Sequence, residues 1–191
     1  ASNTELKFPL FFHPIPTDKE KVLFEDDSII ISSLILRHSI PSSGFLFKEK
    51  DKVKNILKEK IEAYNIPIEE IKNIKNGADF KSEEGRIIPN EELTTIVKLP
   101  HSYAFCSDTA FVAENAERIK GVTLLYHEAT FMQDLAEKAI QTGHSTTIDA
   151  ATLAKNAAIK QLVIGHFSSR YNELEALLSE TKSIFKNTAL A

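Results

Sequence analysis

The sequence predicts an α/β fold, and three observations carry that prediction. Short apolar runs alternate with stretches of helical periodicity, most clearly over residues 103–185. Several of those runs end at once in polar, turn-forming residues that include histidine and aspartate. The chain has 191 residues, 42% hydrophobic and 26% charged, enough to bury a core within one domain or most of one.

The elements follow in order. Residues 22–24 form an apolar run that ends at Glu25-Asp26-Asp27, a turn signal. Residues 28–36 are β-rich and end at Arg37-His38, and residues 44–47 read as a further strand. The two suit a hairpin whose loop, 38–43, carries Pro41 and three serines. Residues 48–64 change character. Six lysines fall in 48–60, and Val53, Ile56, Leu57, Ile61 and Tyr64 repeat at helical spacing. A second helix is expected to start at Pro67 and stop at Asn76-Gly77. Residues 78–92 are polar and turn-like, so 48–98 reads as a helical, charged excursion from the core.

The core resumes at the strand 103–106, followed by Ser107-Asp108-Thr109 and a helix predicted over 110–120. A strand at 122–126 leads into His127-Glu128-Ala129-Thr130. Helical spacing over 132–141 closes at Gly143-His144-Ser145-Thr146, and an Ala-rich helix fills 147–158. The strand 161–164 leads into Gly165-His166, and a last helix covers 172–185.

Composition excludes some functions. With 23 basic and 27 acidic residues the net charge is −4, which excludes a globally basic nucleic-acid binder but leaves room for a local phosphate-binding patch. One cysteine, Cys106, excludes an intrachain disulfide and an all-cysteine zinc site, and fits a reducing, cytoplasmic setting. No run of ~18 apolar residues is present, so no membrane span is expected. The first residues show no signal-peptide pattern.

His38, Asp108, His127 and His166 each stand at or just beyond the end of an apolar run. In open α/β sheets, ligands gather outside the carboxyl ends of the strands, and imidazole and carboxylate groups suit zinc or another borderline divalent ion. His38, Asp108 and His166 therefore form a candidate metal site. Glu128 and His144 are a candidate proton-transfer or ligand-orienting pair. The structural alternatives are hydrogen-bonded histidines, Asp108 capping the next helix, and Ser145 or Thr146 with Asp149 as a helix cap. Three ligands allow one metal with an open position, whereas a two-metal hydrolytic site needs about twice that number. His13 and His101 do not share the pattern and read as structural or surface residues.

Five segments together carry a resemblance. Leu36-Arg-His-Ser-Ile-Pro-Ser-Ser-Gly-Phe45, Tyr103-Ala-Phe-Cys-Ser-Asp-Thr109, His127-Glu-Ala-Thr-Phe131, Gly143-His-Ser-Thr146 and His166-Phe-Ser-Ser-Arg-Tyr171 appear in this order. Together they resemble ribonuclease Z, the tRNA 3′-processing endoribonuclease branch of the metallo-β-lactamase superfamily, from about residue 20 onward. The resemblance implies the C-terminal portion of an αββα sandwich with a projecting helical arm insertion. Residues 1–47 would be core strands carrying one zinc histidine. Residues 48–98 would be the flexible, lysine-rich arm that grips tRNA, and 99–191 the β/α units with the remaining motifs.

It also implies roles. His38, Asp108 and His166 would bind zinc, with Asp108 bridging two ions. His144 would donate a proton at the scissile phosphate, and Glu128 would orient it. Arg170 could steady the phosphate or form an internal salt bridge, and Lys52, Lys54 and Lys58 suit phosphate contacts in the arm. The implied activity is zinc-dependent removal of the 3′ trailer from precursor tRNA by a cytoplasmic homodimer. The chain departs from the family pattern in four ways. The His-x-His-x-Asp-His motif is absent, the tail ends where a final strand is expected, the arm lacks a clear Gly-Pro pair, and Leu99-Pro100-His101 is less basic than the usual substrate loop. The 191 residues alone are therefore expected to be inactive. The rival readings are another phosphodiesterase of the same fold and a non-catalytic, RNA-binding or dimerising half.

Overall fold

The structure, a computed structural model, describes residues 7–50, 54–96 and 99–191. Lys52 and Val53 lie outside the described residues. In chain order the first elements are β1 (Val22–Glu25), β2 (Ile29–Ile35), β3 (Ser43–Glu49) and β4 (Asn55–Ile56). There follow α1 (Lys58–Ala63), α2 (Ile68–Lys75), β5 (Phe80–Lys81), β6 (Ile87–Ile88), α3 (Asn90–Leu93) and β7 (Thr94–Thr95). Next come β8 (Ser102–Cys106), α4 (Asn115–Arg118), β9 (Leu124–Glu128), a 3-10 turn at Gln133–Leu135 and α5 (Ala136–Thr142). The chain closes with α6 (Thr147–Asn156), β10 (Gln161–Gly165), α7 (Glu175–Ile184) and β11 (Thr188–Leu190). No helix among the described residues is long and apolar enough to cross a membrane.

The chain forms two compact units: one contains residues up to 24, 31–47 and 103–191, and the other contains 25–30 and 48–102. The main sheet has seven strands in the order β1-β2-β3-β8-β9-β10-β11. From β8 to β11 neighbouring strands are parallel, as βα alternation requires. Alternation along these strands assigns the two sheet faces. Ala104, Cys106, Leu125, Leu162 and Ile164 are buried with Leu153, Ala154 and Ile119 in one core. The fully buried alanines 150, 151 and 154 let α6 approach the sheet closely. Tyr103, Phe105, Leu124, Tyr126 and Val163 point to the other face and are only half-buried. Phe105 and Tyr126 stack there with ring centroids 4.8 Å apart.

Two glycines in this unit are fixed by close approach. A Cβ on Gly44 would stand 2.6 Å from the Phe105 carbonyl oxygen of the neighbouring strand, a backbone atom that cannot move aside. At Gly165 the obstacle is the Tyr126 side chain, whose Cζ would be 2.9 Å away. Gly44→Ala is expected to cost about 1–3 kcal/mol, in the range for overpacking. Gly165→Ala should cost a similar amount alone and much less in a Tyr126→Leu background. Urea unfolding of the single and double variants checks this; equal rescue at both glycines would contradict it.

The second unit has its own small core of Ile66, Ile74, Phe80, Ile88 and Leu93, with Ile56, Ile61 and Tyr64 packed against it. This corrects the helical expectation for residues 48–64 and the turn-like expectation for 78–92. Strand β3 runs on to Glu49, and Ile56 pairs with Thr94 in an antiparallel ladder. Only residues 58–63 form the first helix, while Phe80 pairs with Ile88 in a second ladder. Helix α2 matches its expectation, with Pro67 before it, Asn76 after it and Gly77 at φ 104°.

Three further corrections apply. The helix predicted over 110–120 shrinks to α4, because Ala110 donates its N–H to the Arg37 carbonyl, leaving 110–112 outside any helix. The strand predicted at 122–126 is shifted by two residues to end at Glu128. The final strand expected to be missing is present as β11, parallel to β10.

Candidate metal centre at the carboxyl edge of the sheet

Sheet register sets the site. Cys106 pairs with His127, and Glu128 pairs with Gly165, so β8, β9 and β10 end together at one edge. Asp108 and His166 leave that edge in left-handed backbone conformations, φ 54° and 58°. Such conformations cost a non-glycine residue energy and persist where the surroundings impose them. His38, beyond the end of β2, joins the same edge.

His144 is placed from both sides. Helix α5 ends in a Schellman closure: Gly143 at φ 72° donates to the Ile140 carbonyl, and His144 N–H donates to the Ala139 carbonyl. Helix α6 opens two residues later with a capping box. The Thr146 hydroxyl accepts from Asp149 N–H, and the Asp149 carboxylate accepts from Thr146 N–H. His144 and Ser145 form the short link between two fixed helix ends. The Thr146–Asp149 pair is thus a cap, as the structural alternative had it.

Glu128 is fully buried and receives four donors. Thr109 N–H lies 2.5 Å from Oε1 and Ser145 N–H 3.1 Å from Oε2. His144 Nδ1 lies 3.0 and 3.1 Å from the two oxygens, and the Thr130 hydroxyl 2.5 Å from Oε2. These donors stand in for the solvation the carboxylate has lost. They also engage both of its oxygens.

The ring nitrogens can be assigned from their partners. His38 Nδ1 is 2.9 Å from the Gly143 carbonyl oxygen, which only accepts. Nδ1 therefore carries a proton, and in the neutral ring Nε2 keeps its lone pair. His144 likewise donates from Nδ1 to Glu128. The structure brings single ligand atoms of His38, Asp108 and His144 within 4.8 Å of one another, and groups His144 with Glu128 and His166 in the same way. His166 Nε2 is 3.2 Å from Asp108 Oδ1. That separation is close to the ~3.4 Å edge of a tetrahedron with metal–ligand bonds of ~2.1 Å. The His144 ring lies between those of His38 and His166, at centroid distances of 4.8 and 5.3 Å. Nitrogen and oxygen donors with free lone pairs on one edge fit a borderline divalent ion.

The expected trio His38, Asp108 and His166 does not form one group; the five residues expected at the core of the site meet in two groups that share His144, with His38 and Asp108 in one and Glu128 and His166 in the other. His127 joins neither. It alternates with Glu128, lies on the covered face and donates from Nδ1 to the Glu128 carbonyl oxygen at 2.7 Å. Burial outweighs that bond and holds its pKa below the usual histidine range. Cys106 is also buried, with its thiol pushed up to about 12, and is no nucleophile. Arg170 is exposed. It donates from Nε to Ser168 Oγ at 3.0 Å, and its guanidinium lies 5.2 Å from the centre of the Phe131 ring. In the second unit, Lys54 Nζ donates to Asn90 Oδ1 at 2.9 Å, and Lys58 is exposed. Sequence reasoning missed Thr109, Thr130, Ser145 and the Gly143 carbonyl. Of these, Thr130 had a signal: it stands two residues beyond Glu128, on the same side of an extended chain.

No family model matches the chain. A ribonuclease Z of Bacteroides thetaiotaomicron is 45% identical over 186 residues, covering 97% of this chain and 59% of its own length. Ribonuclease Z of Porphyromonas gingivalis is 42% identical over 97% of the chain, and that of Cytophaga hutchinsonii 39% over 99%. The chain spans about 60% of the length of these curated relatives. Among solved structures, the short form of human tRNase Z superposes with a TM-score of 0.50 at 22% identity, over 90% of this chain and 44% of that one. The metallo-β-lactamase fold protein YhfI of Bacillus subtilis gives a TM-score of 0.56 at 14% identity, over 92% and 50% of the two chains. At such identities the structures speak to the fold: an α/β sheet layer of the metallo-β-lactamase type.

Proposed function

The chain belongs to the ribonuclease Z family, and from that premise we propose that it forms the C-terminal part of a zinc-dependent endoribonuclease. The proposed reaction hydrolyses the phosphodiester bond that joins the 3′ trailer to precursor tRNA. The observation that carries the reading is the buried Glu128 carboxylate, with His144 held between His38 and His166.

His38, Asp108 and His166 would hold the metal, two zinc ions in the whole enzyme. When bound, zinc supplies Lewis-acid activation of water and neutralises charge on the phosphate. The residues of the chain do the rest. His144 presents Nε2 outward with its side chain 16% exposed, while Nδ1–H is fixed on Glu128. Protonated at both nitrogens, it can pass the Nε2 proton to the departing 3′ oxygen as the phosphorus–oxygen bond breaks. The Glu128 carboxylate stabilises the imidazolium and keeps the ring aimed. Arg170, exposed beside Phe131, would meet a phosphate. Residues 48–98 would serve as the tRNA-gripping arm, Lys58 among its contacts, in a cytoplasmic homodimer. Lys54 would first have to release Asn90.

The test is removal of residues 48–98, bridged by a short Gly-Ser linker, in a ribonuclease Z polypeptide carrying this chain. Cleavage of precursor tRNA should fall at least ~100-fold, while hydrolysis of a small phosphodiester survives within a few-fold. Unchanged cleavage of both substrates would favour a phosphodiesterase with a small substrate. Zinc binding with no cleavage by the unmodified polypeptide would favour a non-catalytic half.

A further inference from the structure

One polar side chain at the site has no role in the reading above, yet it touches two of its parts. Thr130 Oγ1 is 94% removed from solvent with its residue and has three polar neighbours. The Glu128 carboxylate lies at 2.5 Å, and the carbonyl oxygen and Nδ1 of His166 both lie at 2.9 Å. A hydroxyl has one proton and two lone pairs. The charged carboxylate at the shortest distance takes that proton, because charge-assisted bonds are the stronger ones. Towards Nδ1 of His166 the hydroxyl can then only accept, so Nδ1 must be the donor. In the neutral ring this leaves Nε2, the nitrogen that faces Asp108 at 3.2 Å, with its lone pair.

We propose that Thr130 is a positioning residue: its hydroxyl, polarised by Glu128, holds His166 by Nδ1–H and turns Nε2 toward the metal. The proposal rests on the reading of His166 as a metal ligand. It gives Glu128 a second duty. Through His144 the carboxylate braces the proposed proton donor; through Thr130 it braces a ligand just beyond the end of a different strand. Asp108 competes for the single ring proton of neutral His166 at the Nε2 side. Thr130 is the group that opposes this, since a proton on Nε2 would block ligation.

The experiment compares Thr130→Val, which keeps shape and deletes the hydroxyl, with Thr130→Ser, which keeps the hydroxyl and deletes the methyl. Zinc affinity is measured by competition with a chromophoric chelator at fixed pH. The Val variant should bind roughly ten- to a hundredfold more weakly than the unmodified protein, the usual scale for groups that orient a ligand. The Ser variant should bind within a few-fold of it. Equal affinity in the Val variant overturns the proposal. So does an equal loss in both variants, which would mark a packing role. A second measurement needs no variant: in the zinc-loaded protein, nitrogen-15 spectra should show a protected proton on His166 Nδ1 with a cross-peak to Thr130. Its absence overturns the proposal even if the Val variant does not fold. If the unmodified protein fails to bind zinc, the ligand reading falls and this inference falls with it; zinc binding that ignores Thr130 sinks the inference alone.

Discussion

Replacing Glu128 with leucine should lower the stability of the chain by about 3–5 kcal/mol, a loss typical of breaking a buried charge network from one side. Burying a charge is expensive, and exchanging a whole buried ionic cluster for apolar groups is often harmless. Here the partners cannot be exchanged. Thr109 and Ser145 donate backbone N–H groups, which remain after any substitution at Glu128. Each unsatisfied buried donor costs about 1–3 kcal/mol. The other two donors have somewhere to go: Thr130 can turn its proton to the His166 carbonyl at 2.9 Å, and His144 is near enough to solvent to hydrate. Glu128→Gln keeps one acceptor and should lose less. Urea unfolding measures both, and a loss below about 1 kcal/mol for the leucine variant would mean that the carboxylate does not organise the edge. The same substitution should also weaken metal binding, because Thr109 follows Asp108 and Ser145 follows His144 in the chain.

The sequence exposed the parallel half of the sheet well, because strands 102–106 and 161–165 are apolar runs bounded by turn residues. It was less reliable where apolar periodicity is shared by two elements. Ile56 enters a strand and Ile61 a helix, yet their spacing reads as one helix. Phe111 packs on the core and Val112 is buried from irregular chain, a pattern that mimics the first turn of a helix. At the site, residues with distinctive chemistry were legible by type and by place after a strand. His127 shows the limit of that rule: neighbours on a strand face opposite ways, so one of His127 and Glu128 had to miss the edge. The braces were illegible for another reason. They act through backbone groups or short hydroxyls whose partners are remote, such as Gly143, 105 positions from His38. No local pattern records such a pairing.

In a ribonuclease Z polypeptide carrying this chain, His144→Ala should reduce kcat on precursor tRNA by roughly 10²–10⁴, the span a positioned general acid contributes, with KM little changed. The ring is braced by an internal carboxylate and offers only Nε2 outward, so it has little surface with which to hold a large substrate. Its neighbours give the experiment a second edge. His144 lies within ligand reach of His38 and Asp108, and a histidine there can serve the metal as easily as the phosphate. The two roles separate on zinc affinity. A proton donor leaves zinc binding within a few-fold when removed, and the lost rate appears in the chemical step. A ligand loses zinc and activity together, and excess zinc restores part of both. Steady-state kinetics at saturating zinc, paired with the chelator competition, therefore assign the residue. Equal losses in kcat/KM and in substrate binding with kcat unchanged would remove His144 from the chemistry altogether, leaving Glu128 to brace a substrate contact.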